Sequence, residues 1–372
     1  MSETLHDLNQ TTQPVRPHKM FNNWETVARG WYVVGKSSEL KTGKTLSKKI
    51  FGHLLVLFRT KSGKACALDA FCPHMGMDLV KGKVVGESIK CIFHEWKFTG
   101  KGDCVDIPCL KGQSPKGRNA NSYPVEEKYG FIWVYSDAEA HSPVFEIDDF
   151  KGKEILYTDL APFKRMAHPH ITMMNSIDEQ HMRSVHHLPL DLDVAIEEEG
   201  TRFKVTFTGK TLDNSLMGKL QKFVIGQQWQ SSVLFVDGGI GLLTIMIGSK
   251  LFGKIPLPAG YFIFSHSFTE KGKTLVWPIM VTEKRKGLHG FLFSWLLLRF
   301  HKVLMWFLAY QDGRVIYSHL RFNQAGLLPG IDNASAKWIS FVNKVIPLSV
   351  WSKKNVKRSD AQDSVDDETV TA

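Results

Sequence analysis

A chain of 372 residues is long enough to bury two cores of ordinary domain size, and 43% hydrophobic with 23% charged residues excludes a collagenous or generally disordered protein. The formal charge of +10 comes from scattered Lys and Arg with no long basic run and no interleaved aromatic motif, which argues against a nucleic-acid partner and suits docking of a small acidic electron carrier. All five cysteines fall between positions 66 and 109, an odd number in one window, so a metal site fits better than a disulfide framework.

Residues 1–20 are polar and lack an apolar leader segment, and residues 1–22 read as a mobile arm, so a cytoplasmic location is expected, where reduced thiolates can hold iron. From 23 to 140, short β-type runs at Trp31–Val34, Leu54–Phe58, Ala65–Asp69 and Phe131–Tyr135 predict a small antiparallel β domain. Residues 141–165 read as a bridge into a second domain over 141–350. That domain opens with a helix expected at about 170–186, followed by strands at Phe203–Thr208, Val233–Val236, Leu242–Ile247, Tyr261–Phe268 and Leu275–Thr282.

An apolar segment from Leu288 to Tyr310 predicts a long helix of bilayer-spanning length. Arg299, His301 and Lys302 sit in its middle, and each basic charge there would cost about 2.5–3.5 kcal/mol on insertion. A buried helix or a wall of an apolar pocket is expected, not a span, and contact with a membrane surface stays open. Residues 351–372 are rich in Asp and read as a disordered acidic tail.

The first dense constellation is Cys72-Pro73-His74 followed, after sixteen residues, by Cys91-Ile92-Phe93-His94. Two Cys and two His also serve tetrahedral zinc, but common zinc fingers place both Cys before both His. Here each pair holds one of each kind. A Rieske [2Fe–2S] cluster needs that arrangement, with two thiolates on one iron and two imidazoles on the other. Cys72-x-His74-x16-Cys91-x2-His94, with Trp96 and Phe98 following, resembles the signature of Rieske-type ring-hydroxylating oxygenases. Glu95 departs from it: most relatives carry Gly directly after the second His, at a position that calls for an unusual backbone or a subunit contact. Cys66, Cys104 and Cys109 are expected to be buried small apolar residues.

The second constellation, Asn175-x2-Asp178-x2-His181-x4-His186-His187, places three His and a carboxylate close together. Two His with one carboxylate can hold Fe(II) on one face and leave positions open for O₂ and substrate. The pattern resembles the mononuclear iron motif of the same oxygenase family. By that resemblance His181 and His186 are iron ligands, and Asp178 links the iron to the cluster of a neighbouring subunit; spacing alone leaves His187 a rival to His186. The third ligand is expected at Asp312, which follows the long apolar helix as the family's C-terminal ligand does.

The resemblance covers most of residues 25–325 and is closest to the steroid 9α-hydroxylase, cholesterol desaturase and aminopyrrolnitrin oxygenase groups. The absence of any Cys after Cys109 argues against the chlorophyll-catabolic branch, which carries a C-terminal Cys-x-x-Cys. The implied fold is α+β: an N-terminal all-β Rieske [2Fe–2S] domain, then an α+β antiparallel-sheet, helix-grip-like catalytic domain. The implied function is that of a terminal oxygenase. It would take electrons from an external NAD(P)H-linked donor through a ferredoxin or flavin/iron–sulfur reductase, and use O₂ to hydroxylate a hydrophobic, cyclic or aromatic small molecule. N-oxygenation of an arylamine or desaturation would use the same ligands, and an electron-transfer-only Rieske protein would lack the second constellation. Electron transfer between subunits implies a closed head-to-tail ring, a homotrimer by the resemblance.

Overall fold

Alternating apolar and polar runs become antiparallel strands in a computed structural model that describes residues 20–352, except 114, 189, 213–218, 220–221, 224–225, 227, 253 and 316–319. The N-terminal half contains three small sheets. Strands β1 (Trp31–Lys36), β11 (Phe131–Tyr135) and β10 (Val125–Lys128) pair in that order. A second sheet orders β2 (Thr45–Ile50), β3 (His53–Arg59), β4 (Ala65–Asp69) and β9 (Ser122–Tyr123). The third orders β5 (Lys83–Val85), β6 (Ser88–Lys90), β7 (Lys97–Thr99) and β8 (Cys104–Asp106).

The second half is built on one eight-stranded antiparallel sheet. Its path runs β12 (Ile155–Asp159), β21 (Lys273–Glu283), β20 (Gly260–Glu270), β17 (Ile240–Ile245), β16 (Gln228–Val236), β15 (Arg202–Thr211) and β14 (Leu190–Glu199), with β13 (Phe163–Arg165) also on β21. A two-stranded ribbon, β18 (Lys250–Leu251) and β19 (Ile255–Pro256), lies outside it. Accompanying the sheet are helices α1 (Pro169–Met174), α2 (Glu179–Ser184), α3 (Gly287–Val315) and α4 (Asn333–Lys344).

Period-2 burial explains why this sheet is covered. Phe203, Val205 and Phe207 of β15 and Val233 and Phe235 of β16 point to one face, where Trp338, Ile339, Phe341 and Val342 of α4 close over them. A second core joins the two halves: Trp31, Val33, Phe131 and Trp133 pack against Ile240, Ile263, Trp277 and Ile279. The two halves therefore share buried apolar surface, which holds them in a fixed relation better than a polar contact would.

The structure departs from the sequence reading in several places. Residues 141–165 supply two strands of the large sheet and are not merely a bridge. The helix expected over 170–186 is two short helices separated by a 3₁₀ turn at Asn175–Ile177. Asp178 causes the break: it is extended (φ −88°, ψ 110°) and its side chain accepts from the His181 N–H, so it starts a new helix as its N-cap. The arm's last residues, Met20 and Phe21, are buried and donate both backbone N–H groups to Asn343 Oδ1 at 3.0 Å. Trp351, at the start of the acidic tail, is likewise fully buried beside Phe51, His53 and Tyr123. The rest of the arm and tail, residues 1–19 and 353–372, lie outside the described residues.

Candidate metal centres

The first centre is formed by two loops with matching backbone geometry. The Cys72 N–H donates to Met77 O and the Cys91 N–H to Trp96 O, each at 2.9 Å and each reaching the fifth residue on. The fourth residue after each Cys is left-handed: Gly76 at φ +73° and Glu95 at φ +63°. Gly adopts that conformation at no steric cost, whereas Glu does not. The unusual backbone anticipated at position 95 is therefore present with a glutamate in it, and Glu95 Oε1 accepts from Lys90 Nζ at 2.8 Å.

Cys72 and Cys91 are buried with their thiols within hydrogen-bonding reach, and burial pushes the Cys72 thiol up to about 11. Thiolate ligation at such a site must displace protons. The His74 and His94 rings stand 4.5 Å apart between centroids, exposed at the loop tips, with His74 stacked on Trp96 at 4.4 Å and 6°. The four do not converge on a single point among the described residues, although such a convergence is found elsewhere in the chain. Separate thiol and imidazole pairs fit a two-iron cluster better than one tetrahedral ion.

That convergence is made by His181, His186 and Asp312. His181 Nε2 lies 3.1 Å from His186 Nε2, and Asp312 Oδ1 lies 3.2 Å from the first and 3.4 Å from the second. A triangle with those sides has a point about 1.9 Å from every corner, close to the roughly 2.0–2.2 Å of metal–nitrogen and metal–oxygen bonds. Asp312 Oδ1 is buried without a hydrogen-bond partner, which is costly unless a cation completes it. The donor set fits a divalent ion of the Fe(II) type.

Local structure explains the convergence. Asp178 caps α2, which carries His181 on its first turn; a turn through Val185 then brings His186 back to the same point. Asp312 enters from the last turns of α3, and the neighbouring Gln311 Oε1 sits 2.9 Å from His186 Nδ1, where it can orient the ring. Asn175 Nδ2 lies 3.0 Å from His181 Nε2, on the metal side of that ring. His187 is exposed and left-handed (φ +52°), outside the group. Burial, outweighing the Gln311 contact that acts in the opposite sense, holds the His186 imidazole below its ordinary value, favouring the neutral ring a metal requires.

The triad forms part of the wall of an apolar cavity lined by Leu188, Trp229, Val233, Phe235, Leu243, Ile245, Phe264, Met305 and Leu308. Phe163, Trp229, Phe235 and Phe264 supply its aromatic lining. Gln311 was missed; its signal was adjacency to Asp312. Cys66 and Cys104 are buried as expected, but Cys109 is exposed in a 3₁₀ turn at Pro108–Leu110.

The model for the Rieske [2Fe–2S] domain matches residues 30–124. Cholesterol 7-desaturase of Bombyx mori is 38% identical over 159 residues, 42% of this chain and 35% of that protein. The oxygenase component of 3-ketosteroid-9-alpha-monooxygenase of Rhodococcus rhodochrous is 39% identical over 120 residues, 32% and 31% of the two chains. Aminopyrrolnitrin oxygenase of Pseudomonas fluorescens is 30% identical over 192 residues, 49% and 52%. The matched stretches thus span about a third to a half of these relatives' length.

Among solved structures, dicamba monooxygenase with bound dicamba covers 86% of this chain and 98% of its own, with a TM-score of 0.58 at 20% identity. NdmB of Pseudomonas putida covers 84% and 89%, with a TM-score of 0.63 at 17% identity. These likenesses show the fold: a Rieske β domain followed by an antiparallel-sheet domain with few helices. Residues 30–124 thus form a Rieske [2Fe–2S] domain, in a chain whose relatives in sequence and neighbours in fold are Rieske oxygenases.

Proposed function

We propose that this chain is the oxygenase component of a Rieske system that hydroxylates an apolar small molecule. The observation that carries the reading is the convergence of His181, His186 and Asp312 in the wall of an apolar cavity, in a chain that also has a Rieske domain. Cys72, His74, Cys91 and His94 would hold the cluster, and His181, His186 and Asp312 the mononuclear iron. When bound, the two centres supply one-electron transfer and O₂ reduction at a metal with open positions. The net reaction balances as R–H + O₂ + 2 e⁻ + 2 H⁺ → R–OH + H₂O, with the electrons supplied by an external NAD(P)H-linked carrier.

The chain's own residues prepare this chemistry. Gln311 holds His186 with Nε2 toward the iron position, and the Asp178 cap fixes the start of the helix bearing His181. Leu243, Ile245, Phe264 and Leu308 exclude water and favour an aromatic or aliphatic ring beside the triad. Exposed Phe71, Met75, Ile92 and Phe93 surround the His tips and make an apolar surface suited to a neighbouring copy or an electron carrier. In a head-to-tail ring, half-buried Asp178 would receive a cluster His of the next copy, which gives the trimer its rationale.

The test is O₂ uptake by the chain with a Rieske-competent reductase, screened against apolar ring compounds and small polar acids. Uptake coupled to hydroxylated product from ring compounds is expected. Coupling with the polar acids alone would defeat the apolar-substrate reading.

A further inference from the structure

We propose that the outward face of α3 docks on an anionic lipid bilayer, lying along its surface without crossing it. A helix this long and apolar is ordinarily a core helix, yet only 22% of its most apolar stretch is buried. Leu288, Phe291, Leu296, Phe300, Val303 and Trp306 are exposed, from 41% to 78%, on one broad side. Water-facing apolar surface this continuous marks an interaction site.

The opposite side is already committed. Ser294, Leu298, His301 and Met305 are buried, with Leu298 and Met305 in a core with Phe262 and Met280, and the last turns of the helix deliver Asp312. Crossing a membrane would pull the helix from that core, so it lies on the surface.

Charge selects the occupant. Lys284, Arg285 and Lys286 immediately precede the helix, and Arg299 and Lys302 rise along it. No Asp or Glu occurs between Lys284 and Gln311; the neighbouring Glu154 pairs with Lys284 and Glu283 with Lys153. A second copy packed on this face about a two-fold axis would bring these cations against one another. Lipid phosphates neutralise them, and exposed Trp295 and Tyr310 are residues favoured at the headgroup level. Met305 and Leu308 of the same helix line the cavity, so a bilayer-dissolved molecule would reach the site past α3. That route rests on the oxygenase reading; the docking does not.

The experiment is flotation of the full-length protein with vesicles of phosphatidylcholine, alone or mixed with phosphatidylglycerol. Wild type is expected to float with the mixed vesicles at low salt and much less with phosphatidylcholine alone. R285Q with K286Q should lower the partition about fivefold per charge removed. F300S with W306S should abolish flotation while the melting curve stays cooperative. No flotation with either vesicle overturns the proposal, as does flotation indifferent to F300S with W306S. An intermolecular Val303→Cys disulfide in protein that ignores vesicles would instead assign the face to a second copy. Flotation is read without turnover, so its failure leaves the metal-site reading intact, and failed iron binding leaves flotation intact.

Discussion

Replacing Asp178 separates its observed capping contact from the bridging role proposed for it. Its Oδ1 accepts from the His181 N–H at 3.1 Å and caps α2, a helix of only six residues whose first turn carries His181. Losing such a cap costs about 1 kcal/mol, while Asn caps nearly as well as Asp. In a cooperative unit of 150–250 residues that loss lowers the melting midpoint by roughly 2–4 °C. Asp178→Ala should therefore melt lower by that amount and Asp178→Asn within a degree or so of wild type, followed by far-UV circular dichroism. Since Asp178 is not among the three converging ligands, both variants should keep the mononuclear iron. Turnover then isolates the charge: Asp178→Asn should retain fold and iron yet lose activity, because an amide carries no negative charge toward the neighbouring cluster. An Ala variant melting with wild type would refute the capping argument, and an Asn variant with normal turnover would refute the bridging role.

Asp312→Ala should empty the mononuclear site and leave the cluster's visible absorption unchanged, whereas Gln311→Ala, which removes the support of His186, should weaken Fe(II) binding about 10–100-fold in an anaerobic titration. Glu95→Gly should leave the melting midpoint unchanged or raise it, since Gly accepts φ +63° freely; a clear drop would show that the Lys90 contact outweighs the backbone strain. Burial holds the His170 imidazole down to about 4 and that of His266 to about 3, so between those values and about 6.5 the unfolded chain takes up protons that the folded chain refuses. Stability from these two groups is complete above about pH 6.5 and declines as pH falls, by roughly 3 kcal/mol each at pH 4, and substituting His266 by Leu should flatten that part of a denaturant-midpoint profile against pH.

What the sequence disclosed depended on whether the signal was local. Strands Ala65–Asp69 and Phe131–Tyr135 match their β-type apolar runs end to end, and the cluster loops are readable because Cys and His alternating at so short a spacing serve little besides metal ligation. Strand Leu190–Glu199 is not among the expected strands although Leu-Asp-Leu-Asp-Val alternates; Asp is depleted in strands, which weakens that signal. The helix over 170–186 was read as continuous because Asp tolerates a helix interior well enough to hide its stronger preference for an N-cap. The convergence of Asp312 on His181 spans more than a hundred residues, and no local pattern reports such a distance; only resemblance to a family pointed there. Of the two expectations for α3, the pocket wall holds through Met305 and Leu308 and the buried helix does not: periodicity shows that a helix is apolar, but not what covers it.

The central claim is that one chain carries both a [2Fe–2S] cluster and a mononuclear iron. Electron paramagnetic resonance of anaerobically purified, dithionite-reduced protein, with iron and sulfide counted on the same sample, tests it most directly. A rhombic Rieske-type signal with about three irons and two sulfides per chain is expected, falling to about two irons in Asp312→Ala without loss of the signal. Zinc in place of iron, with no such signal, would contradict the account at its root.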